Sequence, residues 1–194
     1  MLIMRRVFAV AVLISCALGI ALAVSQKVHA DDDALWALLK KPGYFVLMRH
    51  SYSPEMPDDA DVVDFNNCAT QRNLDESGRA QARRVGDEFR KRGITRANLL
   101  ASQYCRAMET AKLTGLGPVR ALPPLNMVRL ADFGKRGEAQ QYLKTLPAGP
   151  VTVMVTHVGN IQTVAGPLVS SGEMLVGHLD ASGSIVVDGR IKVP

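Results

Sequence analysis

Two arginines and two histidines stand where the chain could bind a phosphoryl group and transfer it. They are Arg49, His50, Arg106 and His157. A guanidinium offers a planar fork of donors to phosphate oxygens, and a neutral imidazole nitrogen can attack phosphorus. A single residue of either type is more often structural, so the argument depends on whether the fold brings the four together.

Three short apolar runs would position these side chains. They span residues 44–48, 97–101 and 151–156. Their length and their β-branched or aromatic content predict buried strands. Arg49 and His50 follow the first run, His157 follows the third, and Arg106 comes a few residues after the second. Because ligands bind at the carboxyl ends of the strands in an open α/β sheet, one crevice could collect all four side chains.

Four segments of the chain resemble, in order, the motifs of the histidine phosphatase superfamily, also called the phosphoglycerate mutase-like phosphatases. The segments are Arg49-His50-Ser51; Leu74, Gly78, Gln81 and Ala82; Ser102, Arg106, Ala107, Thr110 and Ala111; and Thr156-His157-Val-Gly-Asn-Ile161. The first motif departs from the family at Ser51, where the family has glycine. With its run over 67–74 and its Cys105-Arg106 pair, the chain resembles exported relatives near the lipopolysaccharide-core heptose phosphatases.

The resemblance implies a three-layer α/β/α sandwich around a mostly parallel central sheet. It also implies a phosphatase that hydrolyses a phosphate monoester without a metal or another cofactor. His50 would attack phosphorus and form a phosphohistidine that water then hydrolyses. Arg49, Arg106 and, if protonated, His157 would stabilise the charge on the phosphate oxygens. A non-catalytic phosphate-binding domain of the same fold and a mutase are the alternatives.

The leaving group needs a proton donor, which many relatives supply from a carboxylate that follows the third strand. Asp132 is the nearest match, and Glu173 is a second candidate. Ser51 and Asn160 lie beside matched positions, so both are expected to contact the substrate phosphate. His178 matches no motif.

Residues 1–30 have the pattern of a secretory signal peptide. Two arginines precede a long apolar run, and Val28-His29-Ala30 fits a cleavage site. An uncleaved membrane anchor and a lipoprotein attached through Cys16 are the alternatives. Cleavage would leave a single catalytic domain over 31–194 in the periplasm or outside the cell.

The charge balance does not argue for a nucleic-acid ligand. The formal net charge is +5, but three basic residues belong to the predicted signal peptide, so the remainder carries +2. The sequence has no stripe of alternating basic and aromatic residues. We expect a phosphorylated small molecule or an envelope glycolipid phosphate as the ligand, and no stable protein partner.

Cys68 and Cys105 are the cysteines that follow the predicted signal peptide. In an oxidising compartment they would most simply form one disulfide, and two buried thiols are the alternative. The bond would hold the polar stretch 51–72 beside Arg106. Loops of that length in compact domains are usually functional, so this stretch is expected to form one wall of the pocket.

Periodicity and turn signals predict the remaining elements. Helices are predicted over 31–41, 75–92, 104–113, 137–146 and 161–169, and a further strand over 119–122. The chain closes with a predicted hairpin, whose strands 184–187 and 190–193 flank a two-residue Asp188-Gly189 turn.

Overall fold

The computed structural model of the chain describes residues 32–127, 136–146, 149–166 and 168–194. Leu35–Pro194 form one compact unit. Of the other unit, Met1–Ala34, only residues 32–34 are described, and they are helical. The predicted signal peptide and Asp132 lie outside the described residues. Within them, no helix is both long and apolar enough to span a membrane.

Helices and strands alternate along most of the described chain. The helices are α1 (32–38), α2 (Glu76–Lys91), α3 (Cys105–Thr114), α4 (Arg136–Leu143) and α5 (Val158–Ala165), with short 3-10 turns at Cys68–Thr70 and Pro123–Leu125. The strands are β1 (Tyr44–Arg49), β2 (Asn98–Ala101), β3 (Val119–Ala121), β4 (Thr152–Thr156), β5 (Met174–Leu179) and β6 (Ile185–Ile191).

One sheet carries these strands in the order β3-β2-β4-β1-β5-β6. The first four run parallel, whereas β5 is antiparallel to both of its neighbours. The register pairs Arg49 with Thr156 and Ala101 with Val155. The residues that follow β1, β2 and β4 therefore emerge side by side at one edge of the sheet.

The alternation of side chains along β1 explains why the sheet is covered on both faces. Val46 and Met48 lie in a core cluster with residues of α1, α2 and α3. Phe45 and Leu47 lie in a second cluster with residues of α4 and α5. A strand buried on both faces is expected to be apolar throughout, as β1 and β4 are. The predicted three-layer sandwich with a mostly parallel sheet is confirmed.

Helix α2 lies close to the chain that leaves β1. Its N-terminus is capped by the Asp75 carboxylate, which accepts a hydrogen bond from the Gly78 amide. A Cβ atom at Gly78 would stand 2.0 Å from the carbonyl oxygen of Tyr52. Glycine is therefore required here, because it lets the helix approach the backbone that follows His50 and Ser51.

The predicted disulfide between Cys68 and Cys105 is confirmed. It joins the long β1–α2 loop (residues 50–75) to the first residue of α3. The backbone amide of Cys105 also donates a 2.9 Å hydrogen bond to the Gln71 side chain. For a sequence separation of 37 residues, the chain-entropy account of a disulfide gives about 3–4 kcal/mol of stabilisation. The covalent bond thus anchors the loop immediately before Arg106.

The predicted C-terminal hairpin is wrong, because Asp188-Gly189 does not form a turn. Val176 pairs with Gly189 and Gly177 with Val187, so Asp188 is the extra residue of a β-bulge within one continuous strand, β6. The true turn lies between β5 and β6, where the Asp180 amide donates to the Ser184 carbonyl. Asp-Gly is common in both hairpin turns and bulges, and the local sequence does not separate the two.

Helix α5 begins earlier than the predicted range 161–169, because it starts at Val158, directly after His157. It ends at Ala165, before Gly166, whose φ is +89°.

Strand β5 was not predicted from the sequence. Its segment contains Gly177 and His178, which interrupt the apolar pattern, yet Gly177 is the point where the bulge of β6 comes close: a Cβ there would lie 2.6 Å from the Val186 carbonyl oxygen.

Candidate active site

The fold brings the predicted cluster together at the carboxyl edge of the sheet. The rings of His50 and His157 have centroids 5.3 Å apart. Arg106, in the first turn of α3, donates from Nε to Nε2 of His50 across 3.3 Å. Arg49 ends β1 beside them, and one of its terminal nitrogens donates to the Val169 carbonyl at 3.0 Å. His50, His157 and Arg106 are almost fully buried.

The hydrogen bonds of His50 fix its tautomer. Its Nδ1 lies 2.8 Å from the Ser51 carbonyl oxygen. Because a carbonyl only accepts, Nδ1 carries the proton, and Nε2 presents a lone pair to Arg106. Burial lowers the pKa of His50 to about 3, assisted by the positive charges of Arg106, Arg49 and Arg72 and opposed by the Ser51 bond. The ring is therefore neutral near pH 7, as a nucleophilic imidazole must be.

His157 is also neutral in the free protein. Its pKa lies well below the ordinary histidine value because the ring is buried and because His50 and Arg106 disfavour a further positive charge. The Ser102 hydroxyl lies 2.8 Å from Nε2 of His157 and 3.2 Å from Oδ1 of Asn126. When Ser102 donates to His157 and not to Asn126, the proton of the ring is on Nδ1, which can donate to a bound oxygen. The third positive group of the free site is therefore Arg72 and not His157.

Arg72 is a site residue that the sequence reasoning missed. It comes from the β1–α2 loop, and its charge lowers the pKa of His50, His157 and Arg49. Its backbone carbonyl accepts a 3.2 Å hydrogen bond from Arg106. The positive charges of three guanidinium groups thus act on one pair of imidazoles, which suits an anion of two negative charges.

The cluster contains buried polar atoms that have no protein partner. Across the described residues, the buried side-chain atoms without a hydrogen bond are Arg49 Nε, Ser51 Oγ, Arg72 Nε and His157 Nδ1. Three of them belong to Arg49, Arg72 and His157, and the fourth belongs to Ser51, which follows His50 in the chain. A buried polar group without a partner costs about 1–3 kcal/mol, and oxygens of a bound phosphate can satisfy donors of these types. The unpaired atoms therefore mark an oxyanion-binding site.

The sequence model of the histidine phosphatase superfamily (branch 1) matches residues 45–140. The chain contains a histidine phosphatase superfamily domain. Its motif residues Arg49, His50 and Arg106 all lie in the matched region. The family match supports a hydrolase of the phosphatase class. No curated protein sequence matches the chain significantly.

Solved structures of phosphatases share the fold. The protein histidine phosphatase SixA, in complex with tungstate, is 19% identical; the match covers 77% of this chain and 96% of SixA, with a TM-score of 0.60. A phosphoserine phosphatase from Entamoeba histolytica with 3-phosphoglyceric acid is 14% identical, covering 77% and 96%, with a TM-score of 0.57. A mycobacterial glucosyl-3-phosphoglycerate phosphatase is 15% identical, covering 76% and 98%, with a TM-score of 0.55. At these identities the likeness establishes the fold.

Two of the predicted polar residues of this histidine phosphatase domain have structural bonds. The amide nitrogen of Asn160 donates to the carbonyls of Leu125 and Asn126 at 3.0 and 2.7 Å. It therefore holds the chain that precedes the undescribed residues 128–135. Ser51 donates its backbone amide to Thr110 at 3.0 Å and keeps a buried, unpaired hydroxyl. The substrate-binding role stays a prediction for both residues.

Of the two candidate proton donors, Glu173 is described by the structure. Asp132 lies outside the described residues. Glu173 is buried, and its carboxylate accepts from the Ser170 amide at 2.7 Å and from Arg190 at 3.3 Å. These bonds fix Glu173 in the turn before β5. His178 pairs with Tyr44 at the opposite end of β1 from His50 and lies 2.8 Å from Asp188, so it is remote from the site.

We expect EDTA to leave phosphatase activity unchanged within about twofold. The charge stabilisation that a metal would supply is provided by three guanidinium groups. In the part of the chain that the structure describes, no group of three or more His, Cys, Asp or Glu side chains could hold a metal ion. Turnover of an aryl phosphate before and after dialysis against EDTA tests this. Activity that is lost and then restored by zinc or magnesium would contradict it.

Proposed function

We propose that the protein is an exported phosphatase that hydrolyses phosphate monoesters through a phosphohistidine on His50. The observation that carries this proposal is the set of buried, unpaired polar atoms of Arg49, Ser51, Arg72 and His157 around a neutral imidazole. The neutral ring supplies a lone pair, and the unpaired atoms bind the oxygens of the group that it attacks. Both features are needed for phosphoryl transfer to nitrogen.

The first half of the reaction forms the covalent intermediate. The lone pair on Nε2 of His50 attacks phosphorus while the bond from phosphorus to the ester oxygen breaks. The leaving oxygen takes a proton from a carboxylic acid and departs as an alcohol. Arg49, Arg72 and Arg106 stabilise the negative charge on the three remaining oxygens. The Nδ1–H group of His50 continues to donate its hydrogen bond to the Ser51 carbonyl oxygen. This hydrogen bond stabilises the positive charge that develops on the ring.

The second half regenerates the enzyme. A water molecule attacks phosphorus, the phosphorus–nitrogen bond breaks, and the electron pair returns to Nε2. The proton of the water passes to the carboxylate that protonated the leaving group, so the carboxylate acts first as acid and then as base. The products are an alcohol and inorganic phosphate. The arrangement requires no redox step and no second substrate besides water.

Asp132 is proposed as the proton donor. Asp132→Asn should slow an alkyl phosphate, whose leaving group needs protonation, by about a hundredfold or more. It should slow p-nitrophenyl phosphate much less, because nitrophenolate leaves without help. The measurement is kcat/KM for both substrates, with Glu173→Gln as the matched variant. Equal slowing of both substrates by Asp132→Asn would contradict the assignment, and a leaving-group effect in Glu173→Gln would transfer it to that residue.

The substrate class is a phosphorylated small molecule, and an envelope glycolipid phosphate is the specific proposal. The structural neighbours include a phosphoserine phosphatase and a glucosyl-3-phosphoglycerate phosphatase. The envelope proposal is supported by the predicted signal peptide and by the similarity of 67–74 to exported relatives. Phosphate release from purified lipopolysaccharide core, compared with release from phosphoserine, tests it.

Export is proposed on the apolar run within 1–30 and on the Cys68–Cys105 disulfide, since such bonds persist mainly in oxidising compartments. N-terminal sequencing of the mature protein after cell fractionation tests it. A mature chain that begins at Asp31 in the periplasmic fraction is expected. An intact N-terminus would favour the membrane anchor, and a lipid on Cys16 would favour the lipoprotein.

Turnover of p-nitrophenyl phosphate is the decisive test of the proposed activity. Ser51 stands where the family has glycine, so a domain that binds phosphate without hydrolysing it is the competing hypothesis. Hydrolysis with release of inorganic phosphate supports the phosphatase. Saturable binding of phosphate without any turnover would support the binding domain instead. Transfer of the phosphoryl group to a second hydroxyl compound would indicate a mutase.

A further inference from the structure

Asp59 makes the closest charged contact of the site, and neither the motifs nor the reaction outlined above uses it. Its carboxylate accepts two hydrogen bonds from Arg106, at 2.8 Å from Nη1 and 3.1 Å from Nη2. The side chain of Arg106 is 1% exposed and that of Asp59 is 7% exposed. A buried, bidentate ion pair of this kind has a defined geometry, unlike a surface pair.

The contact occupies one particular edge of the guanidinium. Asp59 binds the end formed by Nη1 and Nη2, while Nε of Arg106 donates to Nε2 of His50 at 3.3 Å. The side edge, formed by Nε and Nη2, therefore faces the nucleophile. This is the edge that can give two parallel hydrogen bonds to a phosphoryl group attached to His50.

The loop holds Asp59 on Arg106 through several independent bonds. The backbone amide of Arg72 donates to the Asp59 carboxylate at 2.9 Å. The next residue, Ala60, donates its amide to the Thr70 carbonyl at 3.0 Å. The disulfide between Cys68 and Cys105 then ties this part of the loop to the residue before Arg106. The position of the ion pair is thus fixed by backbone hydrogen bonds and by the disulfide.

The charges of the site agree with a carboxylate that remains in place when substrate binds. Arg49, Arg72 and Arg106 contribute three positive charges, and Asp59 contributes one negative charge. The remaining two positive charges match the two negative charges of a phosphate monoester. Burial alone raises the pKa of Asp59, but the hydrogen bonds and charges of Arg106 and Arg72 outweigh burial and hold it below the ordinary value.

We infer that Asp59 is a positioning residue, which holds the Arg106 guanidinium end-on so that its side edge faces the phosphoryl group on His50. The inference rests on the proposed phosphatase function and extends it to a residue outside the family motifs. Asp59 does not touch the reacting atoms. It acts through Arg106, so its loss should affect the rate of transfer more than the affinity for substrate.

Two substitutions test this inference, one of charge and one of geometry. Asp59→Asn removes the charge, and Asp59→Glu keeps it but moves it outward by one methylene. Both should lower kcat for p-nitrophenyl phosphate, by about a hundredfold for Asn and about tenfold for Glu, because misplacement by about 1 Å can cost that much. KM should change by less than about threefold, and the melting temperature of Asp59→Glu should stay near that of the wild type.

The neighbouring residue provides a matched control. Asp58 is exposed, and its carboxylate accepts a 2.8 Å hydrogen bond from the Asp59 amide. Asp58→Asn and Asp58→Glu therefore make the same chemical changes one residue away and should keep the wild-type kcat. If Asp59→Asn fails to fold, Asp59→Glu still decides, because wild-type kcat in that variant would overturn the positioning role.

Binding of inorganic phosphate, measured by calorimetry, separates failure of this inference from failure of the proposed function. A wild type that binds phosphate without hydrolysing any ester would refute the phosphatase alone. In that case phosphate binding weakened by up to about threefold in Asp59→Asn, the range expected for KM, would still support the positioning role. Unchanged kcat with tighter phosphate binding by Asp59→Asn would overturn it, because Asp59 would then merely compete with phosphate for Arg106.

Discussion

Replacing His50 with alanine is expected to lower kcat/KM for aryl phosphates by about four to six orders of magnitude, the scale seen when a covalent nucleophile is removed. The reason is that no other group near the three arginines can attack phosphorus in the same position. Water remains as a nucleophile, and the oxyanion site remains as a catalyst, so a small residual rate is expected. The protein should still fold, because His50 is neutral and makes one side-chain bond to its own neighbour and one to Arg106.

Rapid quenching provides an independent measurement of this prediction. Wild-type enzyme mixed with ³²P-labelled substrate and quenched in alkali should retain an acid-labile label on the peptide that contains His50. His50→Ala should retain none. The matched control is His178→Ala, which removes a histidine from the opposite end of the sheet and should keep both the label and the rate. Full activity in His50→Ala would refute the phosphohistidine mechanism.

The strand-end residues could be predicted from the sequence because the parallel register leaves little freedom. Once 44–48 and 151–156 are recognised as adjacent buried strands, the residues that follow them emerge together, and Arg49 pairs with Thr156. The motif helix carrying Gly78 is explained in the same way, since the helix must approach the backbone beyond Ser51. Periodicity and sheet geometry thus predict His50, His157 and Arg106, and they predict the layers that support them.

Asp59 and Arg72 could not be predicted in this way. Both lie in the β1–α2 loop, where no periodicity relates position in sequence to position in space. Their placement depends on backbone bonds such as Ala60 to Thr70 and on the Cys68–Cys105 disulfide. Arg72 did carry a signal, because it lies within the run 67–74 that resembles exported relatives. Asp59 carried none beyond the acidic composition of the loop.

The error at the C-terminus has a different physical cause. Asp188-Gly189 is a strong hairpin signal only when the two flanking runs can pair with each other. Here β5, which is interrupted by Gly177, is the available partner for β6, and the bulge at Asp188 adjusts the register between them. Pairing of β6 with β5, a strand that was not predicted, therefore outweighs the local preference of Asp188-Gly189 for a hairpin turn. The register of an antiparallel edge in a mixed sheet is less constrained than that of the parallel centre. The wrong strand predictions lie at this edge, in β5 and β6.

The second large effect concerns stability in acid. The folded pKa of His50 is about 3, whereas an unfolded histidine titrates near 6.5. Between pH 6.5 and pH 3, His50 is protonated in the unfolded chain but remains neutral in the folded protein, so the free energy of unfolding falls as the pH falls through this window. Above pH 6.5 the contribution of neutral His50 to stability is fully present. The shift corresponds to a loss on the order of 4 kcal/mol by pH 3 from this one group, and the lowered pKa of His157 acts in the same direction.

Urea unfolding at pH 7.5 and at pH 4.5 measures this effect. His50→Asn is the informative variant, because an asparagine amide can still donate to the Ser51 carbonyl but does not titrate. The wild type should lose about 2–3 kcal/mol more than His50→Asn between the two pH values, since each pKa unit within the window is worth about 1.4 kcal/mol. Carboxylates such as Asp59 titrate in both proteins, so their contribution cancels in the difference. An equal loss in His50→Asn and the wild type would show that His50 is not held neutral by its burial, and the lone pair that the proposed mechanism requires would then lack its physical basis.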